Sequence, residues 1–370
     1  MKLNCLLFMT LMAFHAQGFP SPDRYLSVIQ NLFSSYHKNN LFDGPSSISA
    51  AKIATPIRTI KPTREEMMYY NYYTASINCP FGVRTMECGY CSKIKDDITN
   101  YVVLENVNHS TAALVALSEK RKEIVVAYRA TTNYWNCVLD ATILNISPHG
   151  ADPIKIHRGF YIATMSLYDR VVKTIGAFRL AKKEYTSYKL VLTGHSLGGA
   201  MARVTQFLLL HLKQFPGISM EVYTYGEPRS GNKDYVDFLN NQTVKSARII
   251  NRADIVSHLP PTSILGTTII SDYYYHAMNE YWINGDEEKF ASRSGYEDPS
   301  TANSYGPKYS TTDHSSYFDV KPSVTSAVQG LAVAIFFQPP DILPPIPEPI
   351  RNFLDAVTDL HMLAVRAMQG

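Results

Sequence analysis

Gly194-His195-Ser196-Leu197-Gly198 places a serine between two glycines, each two residues away. That spacing suits a sharp turn from a strand into a helix, with the serine hydroxyl pushed clear of the sheet and the glycines making room for close approach of the chain. The context fits. An apolar strand, Tyr188 to Thr193, runs into the motif, and an apolar-faced helix, Ala200 to Phe215, runs out of it. A serine hydroxyl is a weak nucleophile at neutral pH. It needs a histidine to take its proton and a carboxylate to orient that histidine.

For a serine on such a turn the partners follow in the order acid, then histidine. Asp254 directly follows a strand candidate, Ser246 to Ile250, and strand C-termini are where catalytic loops gather in open α/β sheets. Asp234, Asp237 and Asp272 compete, but none follows a strand so directly. His258 is too near Asp254 in sequence and would share its loop. Spacing leaves both His276 and His314 open as the base.

The elements that must position these residues alternate. Thr111 to Leu117 and Glu123 to Tyr128 are strand candidates, and Arg158 to Phe178 has apolar residues at helical spacing. Glu221 to Tyr225 is a further strand. Alternation over this length predicts an α/β fold with a mostly parallel central sheet flanked by helices. Thr63 and Glu66 form a capping-box pattern ahead of a Met- and Tyr-rich helix from about Met67 to Ser76.

Composition narrows the function classes. The 370 residues are 45% hydrophobic and 18% charged, a balance of a packed protein rather than a disordered one. Thirty-five Lys and Arg against 32 Asp and Glu leave too little excess for a polybasic nucleic-acid binder. No run of 18 apolar residues suggests a membrane-spanning helix, and five cysteines are too few for a disulfide-framework mini-protein. Residues 1–18 read as a secretory signal, with Lys2, the apolar run Leu6 to Phe14, and small residues at Ala16 and Gly18. Residues 19–66 read as a pro-segment or linker, 67–320 as the catalytic domain, and 321–370 as an extension with a proline-rich run and an amphipathic helix. Asn108, Asn145 and Asn241 begin glycosylation sequons.

Several blocks, in order, resemble the class 3 lipases, the fungal triacylglycerol lipase type of α/β-hydrolase. They are Tyr188 to Ala200 around the serine, Tyr223 to Asn232, Asp254 to Val256 with Leu259 to Pro261, His157 to Phe160, and His314 to Phe318. The resemblance implies His314 as the base, because His276 lies in a segment whose family histidine has another role. It also implies an oxyanion hole from the backbone N–H groups of Thr131 and Leu197, although Ala130 stands where the family carries glycine. After Thr131 the family has a mobile helical lid. Here that segment contains Tyr134, Trp135, Val138, Leu139 and Asp140, the last matching a family aspartate that holds the oxyanion residue when the lid opens. Trp135 sits two residues before Cys137, where the family often has tryptophan. Cys88 and Cys91 resemble the family's short local disulfide. Cys79 resembles a cysteine that the family ties to its C-terminus; here it either pairs with Cys137 or stays free. No metal or organic cofactor is implied. The expected activity is hydrolysis of triacylglycerol esters by an exported enzyme at an oil–water interface, through an acyl-enzyme. An esterase of the same family acting on phospholipid or feruloyl esters is the alternative, and a non-catalytic lipid-binding relative a more distant one.

Overall fold

The computed structural model describes residues 61–79, 82–129, 145–148, 151–260, 274–285, 287–291, 297–305 and 309–321. By their contacts all of these belong to one unit, Arg58–Pro347.

The described residues form four α-helices and ten strands, in chain order α1 Arg64–Ile77, β1 Asn100–Asn106, β2 Thr111–Ser118, β3 Glu123–Tyr128, β4 Asn145–Ile146, β5 Ile156–His157, α2 Arg158–Ala181, β6 Lys189–His195, α3 Leu197–His211, β7 Met220–Tyr225, α4 Lys233–Asn240, β8 Lys245–Asn251, β9 Glu280–Asn284 and β10 Glu287–Ala291. Eight strands form one sheet in the order β1-β2-β3-β6-β7-β8-β9-β10. The five central strands β3, β6, β7, β8 and β9 are parallel, and antiparallel pairs close both edges. This is the mostly parallel α/β sheet that the alternating pattern predicted.

Strand periodicity explains the layers. Side chains of successive strand residues point to opposite faces. Ile124, Val126, Tyr128, Leu190, Leu192 and Val222 therefore pack with α2 and α3 on one face. Val125, Ala127, Val191, Tyr223 and Tyr225 pack with Met67, Tyr70, Tyr73 and Ile77 of α1 on the other. Both faces are covered, which is why the central strands read as unbroken apolar runs.

The helix α1 begins where its caps dictate. The Thr63 hydroxyl accepts from the Glu66 N–H and the Glu66 carboxylate accepts from the Thr63 N–H, so the expected capping box forms. Its first turn takes in Arg64 to Glu66, ahead of the boundary expected at 67. Arg64 also stacks over Phe318 and pairs with Glu288, which ties the helix start to β10. Beyond α1, Cys88 and Cys91 are joined in a disulfide, as the resemblance implied. Cys79 has no disulfide among the described residues, and Cys137 lies outside them.

Candidate active site

Ser196 sits between β6 and α3 at φ 57° and ψ −126°, a backbone conformation that L-residues rarely adopt. Such a conformation costs on the order of 1–3 kcal/mol and persists only where the surroundings enforce it. Here the enforcement is steric and hydrogen-bonded. The Ser196 N–H donates to the Tyr225 carbonyl at 2.9 Å. A Cβ on Gly194 would lie 2.1 Å from the Gly198 carbonyl oxygen, and one on Gly198 would lie 2.3 Å from that of Tyr128 at the end of β3. The two glycines thus allow strand and helix to close on each other around the serine. Ser196 is 6% exposed, and Leu197 opens α3, so its N–H stands outside the intrahelical ladder.

The expected acid and base come from two loops at the same end of the sheet. Asp254 lies just after β8 and His314 in the turn Asp313–Ser315. The His314 Nδ1 is 3.0 and 2.9 Å from the two carboxylate oxygens of Asp254. A carboxylate only accepts, so Nδ1 carries the proton and Nε2 is the basic nitrogen. Asp254 is fully buried. It also accepts from the Val256 N–H at 2.8 Å and from the Tyr317 hydroxyl. Burial pushes its carboxyl pKa up, but the neighbouring His314 and these hydrogen bonds outweigh burial and hold it below the ordinary value. Asp254 is therefore an anion at neutral pH, suited to orient an imidazole and to stabilise its cation.

The competing residues serve elsewhere. The His258 Nδ1 donates to the Asp254 carbonyl at 2.8 Å, and the His276 Nε2 donates to the Ser257 carbonyl at 2.6 Å. Both rings brace the acid-bearing loop. Asp234 and Asp237 lie on α4. Asp272 lies outside the described residues, as do Thr131 and the segment carrying Tyr134, Trp135, Val138, Leu139 and Asp140.

Several residues around the site were not singled out from sequence. Tyr317, three positions after His314, donates to Asp254. Gly226 is at φ +58°, and a Cβ there would fall 2.6 Å from Asp254 Oδ2, 2.8 Å from His314 Nδ1 and 2.8 Å from the Tyr317 hydroxyl. This glycine leaves room for the acid–base pair. Its place directly after β7, in a turn beside the serine, was the available signal. Behind it, Glu227 forms a fully buried ion pair with Arg203 of α3 at 3.1 Å and accepts from Thr224. Arg229 meets Glu297 with two parallel bonds of 2.7 Å and donates to the Pro260 carbonyl at 2.9 Å, which holds the segment after Asp254.

The profile of the family described as Lipase (class 3) matches residues 125–264. A secreted mono- and diacylglycerol lipase 1 of Fusarium solani is 30% identical over 241 residues, 62% of this chain and 67% of that protein. The chain belongs to the class 3 lipase family. A lipase of Rhizomucor miehei is 29% identical over 261 residues, 69% of this chain and 68% of that protein. The structure of a Rhizomucor miehei lipase in complex with its propeptide superposes with a TM-score of 0.62 at 28% identity, over 71% of this chain and 80% of that one. A triacylglycerol lipase whose catalytic centre is formed by a serine protease triad superposes with a TM-score of 0.63 at 28% identity, over 71% of this chain and 96% of that one. The α/β-hydrolase-like fold of the class 3 lipases is thus the fold of this chain.

Proposed function

We propose that this class 3 lipase is an exported serine esterase that cleaves triacylglycerols through an acyl-enzyme, with Ser196, Asp254 and His314 as its triad. The observation that carries the reading is the buried Asp254–His314 pair, whose histidine packs on His195, the residue before a serine on a strained strand-to-helix turn. Ser196 Oγ attacks the ester carbonyl while His314 Nε2 takes its proton. The imidazolium then gives that proton to the leaving alcohol. Asp254 fixes the tautomer and stabilises the cation without being protonated itself. The N–H groups of Leu197 and Thr131 receive the developing oxyanion, and losing one such donor typically costs roughly 3–4 kcal/mol of transition-state stabilisation. A water activated by His314 then releases the fatty acid.

The residues after Thr131 form the lid in this reading. Tyr134, Trp135, Val138 and Leu139 meet lipid when it opens, and Asp140 holds Thr131. The name of the Fusarium relative, a mono- and diacylglycerol lipase, and the triacylglycerol lipase among the solved structures support an acylglycerol substrate. Export is supported by the signal-like residues 1–18 and by the word secreted in the Fusarium relative's name. The pro-segment then ends before Thr63, because residues 63–66 cap and open α1 and residues 19–62 are what remains of the expected 19–66; the propeptide of the Rhizomucor lipase supports such a segment. No helix among the described residues is long and apolar enough to cross a membrane.

The test is a rate panel of emulsified tri- and diacylglycerols, phospholipids and feruloyl esters with the wild-type chain. Acylglycerols are expected to be turned over fastest. Faster turnover of phospholipid or feruloyl esters would replace the substrate assignment and leave the triad standing.

A further inference from the structure

The base in this site is carried by a loop with little regular structure of its own. His314 lies in a single 3-10 turn, Asp313–Ser315, between one isolated bridge that joins Ser310 to Asp254 and another between Tyr317 and Val320. Main-chain bonds thus anchor the loop at Ser310, four residues before His314, and leave the stretch that carries the imidazole without a ladder to the sheet. Side chains supply what the ladder lacks. The His195 Nε2 donates to the carbonyl of His314 itself at 2.8 Å. The Asn251 Nδ2 donates to the carbonyls of Asp313 and Ser316, each at 3.0 Å. The Asn71 Nδ2 donates to the carbonyl of Tyr317 at 2.9 Å.

These donors stand on elements fixed by the sheet and its packing. His195 is the last residue of β6, next to the serine, and Asn251 is the last residue of β8, three positions before the acid. Asn71 is fully buried on α1 and has its own Oδ1 occupied by the Thr74 hydroxyl at 2.7 Å. The His195 ring also lies against that of His314, with centroids 4.4 Å apart. His195 is buried, and its other nitrogen has no hydrogen-bond partner among the described residues, so its one strong bond is the one to the base. The strands that deliver the nucleophile and the acid thus each extend a side chain to the loop that delivers the base.

We infer that His195, Asn251 and Asn71 are positioning residues, a cradle of side-chain donors that sets His314 relative to Ser196. The inference rests on the triad proposed above. It requires that donor chemistry, not bulk, be what matters at these positions, because a carbonyl left without its donor lets the loop shift. A displacement of about 1 Å at a reacting group can cost on the order of 100-fold in rate.

The experiment measures kcat and KM on a soluble short-chain nitrophenyl ester for His195→Phe, His195→Gln and Asn251→Leu, with melting temperatures and the activity of Ser196→Ala beside them. Phenylalanine keeps the ring and the burial but removes the donor, whereas glutamine carries an amide N–H near the Nε2 position. The cradle predicts a kcat loss of about 10- to 100-fold for His195→Phe with KM within about twofold, and recovery of most of that loss in His195→Gln. Asn251→Leu is expected to lose kcat in the same way in its folded fraction. Wild-type kcat in His195→Phe, or a better enzyme with phenylalanine than with glutamine, overturns the inference. Wild-type kcat in folded Asn251→Leu overturns it too, even where the His195 variants fail to fold. An active Ser196→Ala variant would instead overturn the triad reading on which the inference stands.

Discussion

His157, His195 and His276 are buried imidazoles, and each is held below the ordinary histidine range. Burial lowers the His157 pKa to about 4. Burial, followed by the proximity of His314, lowers that of His195 to about 3. Burial, followed by Arg248, lowers that of His276 well below its ordinary value. In the unfolded chain each would titrate near about 6.5. Above that pH neither state binds the proton, so these groups leave stability unchanged. Below it the unfolded chain takes up protons that the native state refuses, and stability falls as pH falls. For His157 and His195 the loss between pH 7 and pH 5 is about 2 kcal/mol each, or about 4 kcal/mol together, and His276 adds to it with the same sign. Against a total stability of roughly 5–15 kcal/mol, that is a large share. Guanidinium unfolding at pH 7, 6 and 5 reads it directly, and the slope of stability against pH should approach three protons per molecule near pH 5 from these groups, with His258, also lowered by burial, adding to it. His157→Asn keeps a side-chain acceptor at the start of α2 but removes one of these sites, so its slope should be smaller by about one proton. A stability that stays flat down to pH 5 would refute the argument. So would a decline that begins only where carboxylates protonate.

Three further outcomes follow from the site. Gly226→Ala adds a Cβ at positive φ against Asp254, His314 and Tyr317, so kcat on a soluble ester should fall by about 100-fold or more with a modest change in KM. Asp254→Asn leaves the fold intact but spoils the imidazole tautomer, and steady-state kinetics should show a kcat loss on the order of 10⁴. Glu297→Gln leaves the buried Arg229 guanidinium without its carboxylate, and denaturant melts should show a destabilisation of about 3–5 kcal/mol.

Sequence made the sheet centre, the candidate nucleophile and the candidate acid legible for a shared physical reason. The strands β3, β6, β7 and β8 are buried on both faces, so they stand out as apolar runs, and Ser196 and Asp254 lie just beyond the ends of β6 and β8. The edges were harder. Strand β1 is only half covered, and among its residues only Leu104 is buried, so its pattern is weak. Strands β9 and β10 mix charged and aromatic residues because Glu280 pairs with Arg248 and Glu288 with Arg64. The base could not be chosen by spacing, since His276 and His314 both lie downstream of Asp254. The resemblance favoured His314, and the packing shows the difference: His276 points its Nε2 at the Ser257 carbonyl, while His314 turns Nδ1 to the acid. Tyr317, Gly226 and His195 fall inside recognised blocks and Asn251 three positions before one, but the blocks do not say what these side chains do. Their importance appears only when loops distant in sequence meet.

Whether Ser196 is the nucleophile is decided by incubation with an active-site-directed phosphonate, followed by mass spectrometry of the intact chain and of the peptide containing Ser196. One covalent adduct per chain is expected, located on Ser196, with loss of ester hydrolysis in step with labelling. Failure of the folded protein to label, or an adduct on another serine with activity retained in Ser196→Ala, would contradict that role.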